Sequence, residues 1–169
     1  MFDNTTGHRN RLNSQPHLAG KVSGNGPNPP DENEEACAAF GYLRGLHERA
    51  NAVEFRLKNG NSVWFPYNWL GNWKFDPSVG LLLKFSGDLV YLILIRGTNL
   101  DRPIEDSGID LIRAGLQRHR VVWVREMSDD GIQGTAEDGP TVDCIEIAEF
   151  ESHDTLKQWL GQNAPSFIQ

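Results

Sequence analysis

Val53-Glu54-Phe55-Arg56-Leu57-Lys58-Asn59-Gly60-Asn61-Ser62-Val63-Trp64-Phe65-Pro66-Tyr67 is the segment on which the fold turns. Val53, Phe55 and Leu57 alternate with Glu54, Arg56 and Lys58, the period of a strand with one wet face. Asn59-Gly60 supplies a hairpin reversal. Parity then selects the loop. A two-residue loop at Asn59-Gly60 would pair Phe55 with Trp64 and leave Val63 and Phe65 among the charges. A three-residue loop, Lys58 to Gly60 with the glycine left-handed, pairs Leu57 with Asn61 and gathers Val63, Phe65 and Tyr67 on the dry face. The three-residue loop is expected, with Trp64 facing outward beside Glu54 and Arg56.

Downstream, Leu81, Leu83 and Phe85 lie on one strand of a second hairpin that reverses at Gly87-Asp88. A two-residue turn puts Val90, Leu92 and Leu94 on their face and leaves Leu82, Leu89, Tyr91, Ile93 and Ile95 on the other. That second face is too apolar to meet water, so it needs a cover. Upstream, Asp31 and Glu34 have capping-box spacing. Glu32, Glu34 and Glu35 sit where a helix dipole favours anions, and Arg44 and Arg49 where it favours cations. Ala36, Phe40, Leu43 and His47 recur at helical intervals. A covering helix from Asp31 to about Arg49 is therefore predicted. Gly41 and Gly45 either weaken it, by roughly 1 kcal/mol each relative to Ala, or allow close packing against the sheet.

Residues 103 to 119 read as a helix with Ile109, Ile112 and Leu116 on one stripe, or as a later start capped by Ser107 or Asp110. Val121 to Met127 reads as a fifth strand, and residues 129 to 140, rich in glycine and acid, as a loop. Val142 to Phe150 reads as an edge strand, and Ser152 as the cap of a short helix bearing Leu156, Trp159 and Leu160. The first thirty residues hold only Phe2, Leu12, Leu18 and Val22 as sizeable apolar groups among Gly, Pro, Asn and Ser, and read as a disordered tail. The expected fold is α+β: an antiparallel sheet of about five strands, two sequential hairpins plus a strand after a helix, covered by two helices. Its core spans 31–127, between the tail at 1–30 and an acidic extension at 128–169.

Charge is segregated along the chain. Residues 1–125 hold 15 bases against 13 acids, whereas residues 126–169 hold Lys157 against ten acids, so nearly all of the net charge of −7 lies in the last quarter. Arg113, Arg118, His119, Arg120 and Arg125 cluster around the second predicted helix and the strand after it. They form a candidate basic patch for RNA or single-stranded DNA, shielded by the acidic segment; the plainer reading is helix-end and local ion-pair chemistry. The other candidate surface is aromatic. Residues 64 to 75 hold Trp64, Trp69 and Trp73, three of the five tryptophans. Exposed, they suit docking of another protein or self-association, and indoles near cations also stack bases. Folded back, Trp69 and Trp73 make a lid over one end of the sheet.

Chemistry is hard to find. Phosphate-loop, nucleophile-elbow and zinc-helix motifs are all missing, and the five histidines are scattered. Cys144 with His47 or His119 as a nucleophile pair, and Asp106 with Asp110 as acid-base carboxylates, are weaker than their structural explanations. No cofactor or metal is expected. Two cysteines, no basic apolar leader and a longest apolar run of seven residues, Leu89 to Ile95, point to a reduced, cytoplasmic protein without a membrane span. The leading expectation is a non-catalytic protein-binding module, with nucleic-acid binding and an enzyme of scattered site residues as the alternatives.

Overall fold

The computed structural model describes residues 33–168, which form nine strands and two α-helices. The strands are β1 (Glu34–Ala36), β2 (Phe40–Leu43), β3 (Ala52–Arg56), β4 (Ser62–Pro66), β5 (Leu70–Asp76), β6 (Gly80–Ser86), β7 (Val90–Arg96), β8 (Val121–Arg125) and β9 (Cys144–Phe150). The helices are α1 (Asp129–Gln133) and α2 (His153–Asn163). The class is α+β, with mostly antiparallel strands. The expected tail at 1–30 lies outside the described residues.

The first hairpin forms as its parity requires. Val53 opposes Phe65 and Phe55 opposes Val63. Leu57 N–H donates to the Asn61 carbonyl at 2.8 Å, and Gly60 closes the three-residue loop at a φ of 85°. Glycine adopts that left-handed backbone without the Cβ penalty other residues carry. Trp64 consequently faces outward, opposite Glu54.

The second hairpin departs from expectation by one residue. Ser86 opposes Val90 and Leu81 opposes Ile95, so Gly87, Asp88 and Leu89 make a three-residue loop. A one-residue slip moves every side chain to the other face. Tyr91, Ile93 and Ile95 therefore accompany Leu81, Leu83 and Phe85, while Leu82, Leu92 and Leu94 share the opposite side. Alternation had little power here because both faces are apolar.

Two sheets result, rather than one. Five strands run in the order β1-β2-β8-β3-β4 and four in the order β5-β6-β7-β9. The two hairpins fall in different sheets, and β3 pairs parallel to β8. Between the sheets lies the main core, where Phe40, Val53, Phe55 and Phe65 meet Leu81, Leu83, Phe85, Ile93 and Ile95. Covering the far face of the four-stranded sheet is α2, whose Leu160, with Ala164 and Phe167 beyond its end, buries Leu82, Leu92 and Leu94. Ser152 caps α2 by accepting from Thr155 N–H, and Leu156 and Trp159 pack on the same cluster, as read from the sequence.

No helix spans 33–49; β1 and β2 occupy that segment. Phe40 and Tyr42 point into the core, and Gly41 between them lies beneath the Trp123 indole, where a Cβ would sit 2.3 Å from Nε1. Close packing explains this glycine, and the helical spacing of Ala36, Phe40, Leu43 and His47 is coincidental. Charges assigned to a helix dipole instead pair across strands: Glu35 binds Arg44 at 2.7 Å and accepts from Tyr42 Oη at 2.9 Å. The helix expected at 103–119 shrinks to a π-turn at Leu111–Gly115 and a 3-10 turn at Leu116–Arg118. Buried Asp110 starts it, its carboxylate accepting from the N–H groups of Ile112, Arg113 and Ala114. Among the described residues the covering role thus falls to α2 and the turn after it. Within the expected loop at 129–140 lies α1, capped by Ser128. β9 pairs with β7 along its whole length, so the acidic C-terminal segment is woven into the second sheet.

Candidate functional site

The outer face of the five-stranded sheet carries no covering helix among the described residues, and its side chains form two cross-strand rows. In the first row Trp64 of β4 opposes Glu54 of β3, which aligns with Trp123 of β8, which opposes Gly41 of β2. In the second, Ser62 opposes Arg56, which aligns with Arg125. Neighbouring strands are about 4.8 Å apart, so the two indoles stand about 10 Å from each other with Glu54 between them.

The two indoles differ in their surroundings. Trp64 is 61% exposed, the most exposed aromatic among the described residues. Trp123 is 6% exposed: Gly41 lies under it, Glu34 accepts from its Nε1 at 2.6 Å, and two guanidiniums lie over it. The Arg56 Cζ is 4.5 Å and the Arg125 Cζ 5.3 Å from the ring centroid, within cation–π range. Arg56 also pairs with Glu54 at 2.7 Å, and Arg125 donates to the Ala38 carbonyl at 2.8 Å. Beside this stack opens a cleft of about 440 Å³ lined by Arg56, Lys58, Arg125, Glu126 and Ser128. Its wall is rigid, because Glu126 accepts from the backbone N–H groups of Lys58 and Ile145 at 2.6 Å each and so ties the first hairpin loop to β9.

The structure does not bring the three expected tryptophans together. Trp73 on β5 opposes Leu83 and packs, half-buried, against the main core. Trp69, in a 3-10 turn at Tyr67–Trp69, lays its ring on Gly87, where a Cβ would come within 2.7 Å. Trp69 follows the lid reading, whereas Trp73 belongs to a strand of the sheet rather than to a connection folded over it. Tyr67 enters the core as parity placed it; its hydroxyl donates to the Val121 carbonyl at 2.7 Å and its ring stacks on His119 at 4.4 Å. Burial pushes the Tyr67 phenol well above its ordinary range, so it stays a donor at any working pH. Tyr67→Phe is expected to lower stability by about 1 kcal/mol, because the Val121 carbonyl then lacks its partner. Chemical denaturation measures this, and an unchanged midpoint would show the hydroxyl to be idle.

The basic residues are likewise dispersed. Arg120 is 4% exposed and spends its guanidinium on the carbonyls of Leu43 and Arg44, locking the end of β2 to the start of β8. His119 stacks on Tyr67, and burial, with Arg49 nearby, holds its imidazole below the ordinary histidine range. Arg113 and Arg118 are exposed near that end of β8, whereas Arg125 stands at the other end with Arg56 and Lys58. The acidic segment instead meets Lys58 through Asp129, Arg96 through Glu146 and Arg102 through Asp138. Cys144 lies on β9, its thiol raised chiefly by burial and then by Glu146 and Glu126, which suits a structural residue. Asp110 serves as a cap, while Asp106 is exposed. Among the described residues there is no group of three or more His, Cys, Asp or Glu able to hold a metal ion, and no helix long and apolar enough to cross a membrane.

Trp123 and Lys58 went unnoticed as site residues, and Arg56 entered only as a cation beside Trp64. Trp123 and Arg125, two apart on one strand, share a face by period alone, and so do Arg56 and Trp64 by the hairpin parity. The neighbouring of β3 and β8, a pairing across some seventy residues, has no local signal. Neither a family model, nor a curated protein, nor a solved structure matches the chain.

Proposed function

We propose that this chain is a non-catalytic binding module that docks another protein at the β4 side of its five-stranded sheet, with Trp64 as the anchor. The observation that carries this reading is the 61% exposure of Trp64 on a face that carries no covering helix among the described residues. A large indole left in water forgoes about 1.5–3 kcal/mol of burial, which a partner recovers. Interfaces concentrate their energy in such residues. Trp69 and Trp73, half-buried against the core, take the role of support rather than contact.

The test is affinity capture and light scattering on the full chain with Trp64→Ala and Trp64→Phe. Trp64→Ala is expected to leave folding stability within about 0.5 kcal/mol of wild type, as exposed substitutions do, while weakening capture at least tenfold. Trp64→Phe should keep part of the affinity. Full retention of every partner and of the solution mass by Trp64→Ala would sink the reading.

A second reading, single-stranded nucleic acid, is favoured by the Arg56–Trp123–Arg125 stack and the adjoining Lys58. It calls for oligonucleotide binding that falls steeply with salt and is lost on Arg56→Gln/Arg125→Gln. Absence of binding to an oligouridylate at low ionic strength would remove it.

A further inference from the structure

Four strands end the two sheets among the described residues; three of them are protected by charged side chains, and the fourth, β4, has only its terminal Pro66. β1 is three residues long with Glu34 and Glu35, β5 carries a bulge between Leu70 and Trp73 as well as Lys74 and Asp76, and β9 presents Glu146 and Glu149. β4 reads Ser-Val-Trp-Phe-Pro, without a charge. Among the described residues its backbone is unpaired on one side. Because Leu57 and Asn61 form a hydrogen-bonded pair, so do Phe55 with Val63 and Val53 with Phe65, and the N–H and C=O groups of Ser62 and Trp64 point away from β3. No strand pairs with that side among the described residues.

We propose that β4 pairs antiparallel with β4 of a second copy of this chain, Ser62 opposite Trp64 and the two-fold axis at Val63. This specifies the partner of the Trp64 docking reading and rests on it. In this register each Ser62 exchanges both backbone hydrogen bonds with the other copy's Trp64, so every outward N–H and C=O of the two residues is satisfied. The small Ser62 side chain leaves room for the indole opposite. Pro66, the next outward position, lacks an N–H and falls opposite Gly60, whose N–H is already bonded to the Leu57 carbonyl at 3.0 Å, so the ladder ends without an orphaned donor. Charge selects the same register. Glu54 flanks Trp64 and Arg56 flanks Ser62, so each row across the seam has Glu54 at one end and Arg56 at the other. Centring the axis on Trp64 would instead align Glu54 with Glu54 and pair Ser62 with Pro66, which cannot donate.

The interface is small, so association is weak and depends on concentration. Sedimentation equilibrium of the full chain from about 10 μM to about 1 mM covers the range expected for a contact below the standard interface size. Ser62→Pro removes an outward N–H without taking a donor from the β3–β4 ladder, although its ring also restricts the backbone at Asn61, which circular dichroism monitors; Ser62→Ala keeps the N–H, and Trp64→Lys places a charge on the edge. Dimerisation of wild type and Ser62→Ala, with at least tenfold weaker association of Ser62→Pro and Trp64→Lys at unchanged circular dichroism, supports the proposal. A wild type that stays monomeric throughout, or a dimer equally tight in Ser62→Pro or in Trp64→Lys, overturns it. If the wild type is monomeric while Trp64→Ala still loses a captured protein, the docking reading stands and the self-pairing falls.

Discussion

Phe85→Ala is expected to remove about 3–5 kcal/mol of folding stability, the cost of deleting a fully buried aromatic ring and leaving a cavity. Phe85 is 0% exposed in the core between the sheets. Its ring lies 4.9 Å from that of Phe65 and 6.3 Å from that of Phe55, and Phe65 in turn meets Tyr91 at 5.1 Å. Those rings come from β3, β4, β6 and β7, so one side chain couples both hairpins. A domain of this size has about 5–15 kcal/mol in all, so the loss takes roughly a fifth of it or more, and at the low end of that range leaves the variant partly unfolded. Urea denaturation measures the loss. A cost below about 1.5 kcal/mol would mean that the two sheets do not share a single close-packed core at this position.

How much of this was legible depends on whether each segment had one wet face. From Val53 to Tyr67 the charges Glu54, Arg56 and Lys58 marked the solvent side, so parity resolved the loop, the register and the outward direction of Trp64. From Leu81 to Ile95 only Lys84 and Ser86 interrupt the apolar faces of the strands, and the register slipped by one residue in the reading. The cover for the far face was expected from the N-terminal side because that helix pattern was nearest in sequence; α2, some sixty residues beyond β7, does the covering. Its cap Ser152 and its stripe of Leu156, Trp159 and Leu160 were readable, while its docking position was not. The candidate site divides in the same way. Trp64 emerged from local alternation, whereas the stack of Arg56, Trp123 and Arg125 requires β8 to insert between β2 and β3, an order fixed by tertiary packing.

Gly41 is where sequence reading and structure met most sharply, and substituting it gives the second large effect. A Cβ there would lie 2.3 Å from Trp123 Nε1 and 2.5 Å from Cε2, closer than real contacts allow. The indole cannot swing aside cheaply, being held by Glu34 at Nε1 and overlaid by Arg56 and Arg125. Gly41→Ala is therefore expected to cost about 3 kcal/mol, the upper end of ordinary overpacking, and to change the emission of Trp123. In helical backbone the same substitution would instead stabilise by roughly 1 kcal/mol, so the sign of the effect separates the two conformations. A double-mutant cycle isolates the cause. If the indole is the obstacle, Gly41→Ala in a Trp123→Ala background should cost less than about 1 kcal/mol, with the coupling energy carrying the remainder. Equal costs in both backgrounds would place the strain in the β2 backbone itself, and the packing of the Trp123 indole over β2 would then no longer explain why this position is glycine.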